Sequence, residues 1–567
     1  MSVPEPRYDA HVARTLAPYP EKTLVDYLDE LAVTAPTRTA LHFKCSTVTY
    51  AALGAVSEAF AAALVARGLR RGDRVALLLP NCPQFLIAQF GIWKAGGVVT
   101  PLNPTYSEHE LAELLDGTRA ESVVVLTPFY DKVKRAQGRT RVRHVIATSI
   151  KEYLPPLLRT LFTWFREQKD GHRIALAPGD EWFGDLLAAH RSARLSVPRP
   201  GPDDHAVILS TGGTTGTPKG AVGRHRHYIA SGRQIDAWTS SIRKPWRDVI
   251  MLPLPLFHVY ANLGVLPMAF LGPNPISLIP NPRDLDDVLK TIRQVKPGFF
   301  SGVPTLYAAM VNHPTVRTGK VSLRSIKLCV SGASALMGDT KRRFEDATGA
   351  RIIEGYSLTE AMMAACLNPV EGPRKTGSVG IPLPDVEIRI LDPETGTHDV
   401  PQGEVGELVL RAPQIMAEYW NNPLETAEIL RTHGPGGPWL HTGDLGYADE
   451  DGYLFVVDRK KDLVKTSGFQ VWPREIEEVL SAHPDVHEVG VAGVPDPTRG
   501  EVIYAWVVAQ PGRTIAEDAL KAYCRERLAP YKVPVRVLFR DSLPKTMVGK
   551  ILRRALVADL GLPPQPR

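Results

Sequence analysis

Residues 208–222 read ILSTGGTTGTPKGAV, with four glycines, four threonines and one lysine in fifteen positions. Such a loop suits polyphosphate. Glycine lets the backbone approach closely with its N–H groups turned inward, and threonine hydroxyls supply further donors. Lys219 adds a point charge. The spacing is not that of a Walker loop: Gly216 is followed by Thr217, Pro218, Lys219 and Gly220, so no hydroxyl residue follows the lysine to hold magnesium. A kinase-like or GTPase-like phosphate loop is therefore disfavoured, and the string alone is also compatible with a solvated turn.

Other stretches narrow the chemistry. Residues 354–360, EGYSLTE, put an aromatic ring, a hydroxyl and a carboxylate within five positions, on a turn expected after the strand RIIEG. These groups can stack a base, touch a phosphate and hold Mg²⁺. In TGDL, Asp444 offers an acceptor for ribose hydroxyls, while DRKKDLVKTSGFQV marks a charged joint and LPKTMVGKILRR carries Lys550 near the chain's end. Taken singly, each of these charges reads as an ordinary surface residue.

The elements that must position these residues follow from periodicity. Between Arg74 and Thr127 the chain alternates strand (RVALLLP), helix (PQFLIAQFGIWKA), strand (VVTPLNP), helix (SEHELAELL, with Ser107 and Glu110 at capping-box spacing) and strand (SVVVLT). That alternation predicts a parallel α/β sheet. It resumes at the glycine-rich loop, at VKPGFFSGVPTLYAAM and at IKLCVSGASAL, giving a large body up to residue 458. From Gly452 the texture changes to a strand (YLFVVD), the joint, a helix (PREIEEVLSAHP), strands (EVGVAG, VIYAWVVAQ), a helix (AEDALKAYCRERL) and a strand (VRVLFR). The expected organisation is residues 1–458 as a multi-subdomain body and 459–567 as a small α+β domain of ordinary size.

Composition bounds the reading. A chain of 567 residues exceeds one ordinary core, and 44% hydrophobic with 23% charged residues is a globular balance. A net charge of +6 is too small at this length to argue for nucleic acid. The five cysteines are scattered without a CxxC pair, so neither zinc nor a disulfide framework is expected. No signal peptide or spanning helix is predicted, and the expected location is cytoplasmic. One segment stands apart: KEYLPPLLRTLFTWFREQK, residues 151–169, has Leu154, Leu157, Leu158, Leu161, Phe162 and Phe165 at helical spacing among Lys151, Arg159, Arg166 and Lys169. A basic amphipathic helix of this kind lies on an anionic bilayer, here the inner face of the membrane. The alternative, favoured by base rate, is that the stripe packs on the protein's own body.

In order and spacing, TGGTTGTPKG, PLFHVYA, SGASAL, EGYSLTE, TGDLGYADEDGYL, DRKKDLVKTSGFQVWPREIEEVL and PKTMVGKILRR resemble the acyl-adenylate-forming superfamily over nearly the whole chain. That superfamily contains acyl-CoA synthetases, the adenylation domains of peptide synthetases and beetle luciferase. GVPTLYAAMVNHP, the joint and the insertion before the glycine-rich loop are most similar to bacterial long-chain fatty-acid–CoA ligases. The resemblance implies ATP, Mg²⁺ and CoA acting on a fatty acid: first acyl-AMP and pyrophosphate form, then a CoA thioester and AMP.

It also implies roles. Thr211, Gly212, Gly213, Thr214, Thr215, Gly216 and Lys219 would cradle the β- and γ-phosphates, with Thr211 and Glu360 near Mg²⁺. Tyr356 would lie against adenine and Thr359 would meet the α-phosphate. Ala333 and Ser334 would line the base pocket, with Glu354 and Gly355 on its edge, and Asp444 and Arg459 would hold the ribose. Lys550 would bridge carboxylate and α-phosphate, since one compact cation lowers the repulsion of two anions. The small domain would swing about Lys461, withdrawing Lys550 and presenting Lys465 and Gly468 along the pantetheine path. His258 would stand in the gate by the acyl and thiol sites; alone, a histidine beside apolar residues is more often structural.

Three positions depart from the pattern: Ser357 stands where glycine is common, Gly212 where a hydroxyl residue is common, and His227 where asparagine is common. The competing readings are a fatty-acyl-AMP ligase loading a carrier protein, a CoA ligase for medium-chain or aryl acids, and a non-catalytic nucleotide-binding paralogue. The last would be expected to lose Lys550 or Glu360, and both are present.

Overall fold

In the computed structural model, residues 3–211, 219–332, 336, 338–467, 469–546 and 550–561 are described. Gly212, Gly213, Thr214, Thr215, Gly216, Ala333, Ser334 and Gly468 lie outside the described residues.

The alternation between Arg74 and Thr127 folds as expected. Strands Arg74–Leu78, Val98–Pro101 and Ser122–Leu126 pair in parallel within a seven-stranded sheet. The helix Pro83–Lys94 between the first two is buried along its whole length, and Ser107 and Glu110 close a reciprocal capping box on the helix Glu108–Thr118. At this sheet's edge His205–Ser210 pairs antiparallel with Gly220–Arg224, so the glycine-rich loop is a hairpin connection.

A nine-stranded sheet is the second layer. Its inner strands run parallel, with Phe299–Gly302, Leu328–Ser331 and Arg351–Leu358 side by side. The loops after Ser210 and Ser331 thus leave the carboxyl ends of parallel strands, where open α/β sheets bind ligands. EGYSLTE departs from expectation. Residues 354–358 continue the strand Arg351–Leu358, and only Thr359–Ala361 turns, in a single 3₁₀ turn. Backbone pairing with Met363–Leu367 keeps the chain extended, with a register shift between Tyr356 and Ser357.

Residues 387–459 form a five-stranded, antiparallel sheet. YLFVVD belongs here: Leu454–Arg459 pairs with Pro438–Ala448, not with the strands that follow it in sequence. A separate five-stranded sheet begins at Val464–Thr466, and it carries apolar clusters on both faces. One cluster lies under the helices Pro473–Ser481 and Glu517–Arg525, the other under Arg553–Ala558.

The substitution of histidine at 227 has a clear local account. His227 Nδ1 accepts the backbone N–H of Arg224 at 3.2 Å, closing the start of the helix His225–Thr239. Burial, with Arg224 beside it, draws the imidazole down to about 3. The neutral ring keeps its lone pair as acceptor, the service an asparagine carbonyl performs.

The 151–169 segment is not one helix. Ile150–Tyr153 is a 3₁₀ turn, and the α-helix runs only over Pro156–Phe165, starting after Leu154 and Pro155. Leu154 and Tyr153 pack on the body's core, but the helix itself contains no buried residue. The stripe therefore packs on the body through Leu154 and through Phe162, whose ring meets the buried His172 edge-on at 5.2 Å, while Leu157, Trp164 and Phe165 stay exposed. Among the described residues, no helix is long and apolar enough to cross a membrane.

Candidate nucleotide and acyl-transfer site

Strand pairing sets Asp444 directly opposite Arg459. Arg459 Nε lies 3.0 Å from Asp444 Oδ1, and Tyr356 Oη donates to Asp444 Oδ2 at 2.5 Å. The Asp444 N–H donates to Thr442 Oγ1, whose hydroxyl donates to the Leu408 carbonyl. Burial, then the Asp444 carboxylate, pushes the Tyr356 phenol well above its ordinary range, so it remains a neutral donor. Asp444 in turn holds the Arg459 guanidinium above its ordinary value. A cleft of about 250 Å³ opens beside the pair, lined by Thr442, Gly443, Arg459, Lys460 and Lys461. A carboxylate and a guanidinium side by side at a cleft can accept from and donate to vicinal hydroxyls.

Lys550 reaches the same place from the other end of the chain. Lys545 and Ile551 form a backbone bridge, Thr546 N–H donates to the Lys550 carbonyl at 2.8 Å, and Lys550 N–H donates to Thr546 Oγ1 at 3.1 Å. These bonds fix the Lys550 backbone against Thr546. Burial, followed by repulsion from Arg459, lowers its ammonium to about 8, with Asp444 and Asp462 opposing. Lys550, Arg459 and Asp444 thus share one electrostatic environment. A lysine whose pKa is lowered by burial and by a specific charged neighbour is a functional-site candidate.

The phosphate side is built on a stitch that the sequence did not reveal. Thr211 N–H donates to the Lys219 carbonyl at 2.7 Å, closing the base of the glycine-rich loop. The Lys219 ammonium pairs with Glu425 and sits 5.4 Å above the Tyr419 ring. The Tyr419 hydroxyl donates to Glu360 Oε1 at 2.7 Å. Backbone bonds from Met416 to Glu360 and from Trp420 to Gly220 fasten this segment to both loops. Tyr419 is therefore the residue that joins Lys219 to Glu360. In the sequence, AEYWNN has no charge spacing that singles it out.

Around these groups, Glu354 is 3.3 Å from Lys341, and burial raises its carboxyl against that lysine's pull. At Gly355 a Cβ would come within 2.9 Å of the Cys366 carbonyl oxygen as well as against the Leu367 side chain, so its glycine is required by the neighbouring strand. Thr359 opens the 3₁₀ turn that carries Glu360. His258 precedes a π-helical turn, Tyr260–Val265, of the kind that marks functional sites. Its Nδ1 accepts the Tyr260 N–H at 3.3 Å, and burial draws the ring to about 4, leaving it neutral at pH 7. Lys461 lies in the 3₁₀ turn Lys460–Asp462, with its ammonium lowered by burial and by Arg459. Lys465, unlike Lys550, is exposed, and its N–H donates to Glu501 Oε2.

The donor set fits magnesium. Among the described residues no group of three His, Cys, Asp or Glu could hold a metal by itself. Mg²⁺ is commonly bound through one or two protein oxygens plus substrate phosphates, which the Glu360 carboxylate and the Thr211 hydroxyl can supply.

Residues 28–420 match the AMP-binding enzyme family and residues 475–550 the AMP-binding enzyme C-terminal domain, so the chain belongs to the AMP-binding enzymes. It is 38% identical over 543 residues to a long-chain-fatty-acid–CoA ligase of Bacillus subtilis (strain 168), covering 96% of this chain and 95% of that protein. ATP-bound MatB from Rhodopseudomonas palustris superposes with a TM-score of 0.80 at 30% identity, covering 94% of this chain and 98% of that one. A Mycobacterium tuberculosis fatty acyl CoA synthetase gives 0.71 at 26% identity, over 95% and 98% of the two chains. The chain is an AMP-forming acid–thiol ligase that uses ATP, Mg²⁺ and CoA, adenylating a carboxylic acid before forming its thioester.

Proposed function

We propose that the acid is a long-chain fatty acid and that the residues above divide the work of its activation. A free carboxylate is a poor acyl donor, and the mixed anhydride with AMP supplies a better leaving group. The protein's share is positioning and charge stabilisation. Asp444 and Arg459 hold the ribose hydroxyls and Tyr356 borders the base beside Glu354 and Gly355. Thr211, Lys219 and the loop residues 212–216 receive the β- and γ-phosphates, with Thr359 at the α-phosphate. Thr211 and Glu360 would hold Mg²⁺, which supplies neutralisation of the departing pyrophosphate. Lys550 brings the attacking carboxylate and the α-phosphate together.

In the second half-reaction the small unit beyond Lys461 swings about that residue, so that Lys465 and Gly468 line the thiol's approach beside His258. The observation that carries this reading is the Asp444–Arg459 pair, bonded to Tyr356 at the cleft, with Lys550 within range of its charges. The identity to the Bacillus ligase supports the chain length. Pyrophosphate release measured across short, medium and long saturated acids and aryl acids, with and without CoA, tests it. Long-chain acids are expected to lead medium-chain ones by about tenfold or more in kcat/KM, since each buried methylene adds to binding. Preference for an aryl acid, or acyl-AMP accumulation that CoA does not relieve, would overturn it.

We also propose that the helix Pro156–Phe165 rests on an anionic bilayer, the reservoir of such acids. Leu157, Trp164 and Phe165 are 71%, 74% and 68% exposed, flanked by Arg159, Arg166 and Lys169. A Lys151–Glu167 ion pair and an Arg159 bond to the Glu152 carbonyl tie the segment's own turns together. Apolar rings with flanking cations match an anionic headgroup layer over an apolar interior. Changing Leu157, Trp164 and Phe165 together to serine is expected to cut co-sedimentation with phosphatidylglycerol vesicles about tenfold while leaving turnover of detergent-dispersed acid unchanged. Undiminished vesicle binding would refute it.

A further inference from the structure

Asp458 is the last residue but one of the body strand Leu454–Arg459, opposite Leu445 of the neighbouring strand, just before the joint. Its side chain is 3% exposed, and its bonds reach across the joint into the small unit. Oδ2 accepts the backbone N–H of Arg474 at 2.9 Å, in the first turn of the helix Pro473–Ser481. That helix has no side-chain cap from its own preceding residue, Trp472, so a carboxylate from the body serves its amino end. Oδ1 accepts from Arg553 Nη1 at 2.9 Å. Arg474 adds a bond from Nη1 to the Val456 carbonyl at 2.6 Å on the same body strand.

Arg553 is placed for leverage. It follows Lys550 closely on the same C-terminal segment, at the start of the helix Arg553–Ala558. Its other partners are Asp462 at 3.1 Å and Glu477, which takes Nη2 at 2.8 Å and Nε at 3.2 Å. Both partners lie beyond Lys461 and travel with the small unit when it turns. Asp458 does not travel. A rotation at Lys461 therefore leaves Arg553 paired and breaks only its bond to Asp458, together with the Arg474 bonds.

We propose that Asp458 is a positioning residue, the body's catch that holds the small unit in the acid-activating orientation and must release before the thiol can attack. This rests on the two-orientation reading given above. Neither Asp458 nor Arg553 touches the reacting atoms. The catch acts on Lys550 through the segment Arg553 fixes, and opening it takes from the carboxylate both its cation and the Arg474 N–H, which biases the resting molecule toward the closed catch.

The test uses the full chain with Asp458→Asn. Pyrophosphate release from ATP and a long-chain acid is expected to slow about tenfold, while thioester formation from supplied acyl-AMP and CoA is unchanged or faster. Tryptic cleavage at Lys460 and Lys461 without substrates is expected to quicken about fivefold, because the joint opens more often. Arg553→Gln should reproduce all three effects and stands in should the Asp458 variant not fold. Equal loss of both half-reactions, no change in either, or cleavage at the parent rate would overturn the catch. If the parent chain activates no fatty acid, the functional reading fails instead, and the cleavage comparison, which needs no substrate, still judges the catch.

Discussion

Lys550→Ala is expected to lower acyl-adenylate formation by about 10²- to 10³-fold, a loss of roughly 2.7–4 kcal/mol of transition-state stabilisation. Thioester formation from supplied acyl-AMP is expected to stay within about twofold, since an interaction made in one transition state does not weigh on another. The split follows from placement. Lys550 shares its surroundings with Arg459 and Asp444 in the orientation seen here, whereas Lys465 is exposed. Rapid-quench measurement of both half-reactions decides it, and equal loss in both would remove Lys550 from its role in joining the two anions.

The same lysine sets an alkaline limb. The ammonium form is the useful one and, with the free site near 8, it is fully present below that pH and lost as pH rises through it. Because kcat/KM for ATP reports the free enzyme, it should fall about tenfold per pH unit above that value. Bound anions favour the charged form, so kcat should hold to higher pH. Lys550→Arg should flatten the limb at a lower overall rate, because a guanidinium stays charged but spreads that charge over a plane.

What the sequence disclosed divides by the range of the interactions involved. The Ser107–Glu110 box and the strands Arg74–Leu78 and Ser122–Leu126 are set by neighbours in sequence, and they read correctly. YLFVVD reads equally well as a strand, but its partner is chosen by pairing with residues 438–448, which local pattern does not encode. EGYSLTE misreads as a turn for the same reason, since Met363–Leu367 holds it extended. Asp444 and Arg459, which the motifs singled out in separate stretches, do lie side by side, because the strands that carry them pair. Tyr419 was not legible, because its role exists only once residues 416–420 lie across two loops distant in sequence. The exposed helix Pro156–Phe165 shows the converse: an amphipathic stripe has the same spacing whether it faces a core or a membrane.

Lys461→Pro is expected to leave acyl-adenylate formation within about threefold while lowering CoA-dependent turnover by about 10²-fold or more, with acyl-AMP accumulating. Proline fixes φ near −65° and removes the N–H donor. Residue 461 sits in the 3₁₀ turn Lys460–Asp462, whose φ proline matches, while proline pushes Lys460 before it toward extended backbone, so acyl-adenylate formation is expected to fall only modestly. A swing of the small unit requires the joint's dihedrals to change, and proline withholds one of them. Lys461 also lines the cleft beside Thr442 and Gly443, so its charge must be separated from its backbone. Lys461→Ala supplies that control. Alanine loses the ammonium but keeps the dihedral free, and it should turn over with CoA far faster than the proline variant. Equal defects in the two would assign the effect to the lost cation, and undiminished turnover in the proline variant would place the hinge elsewhere.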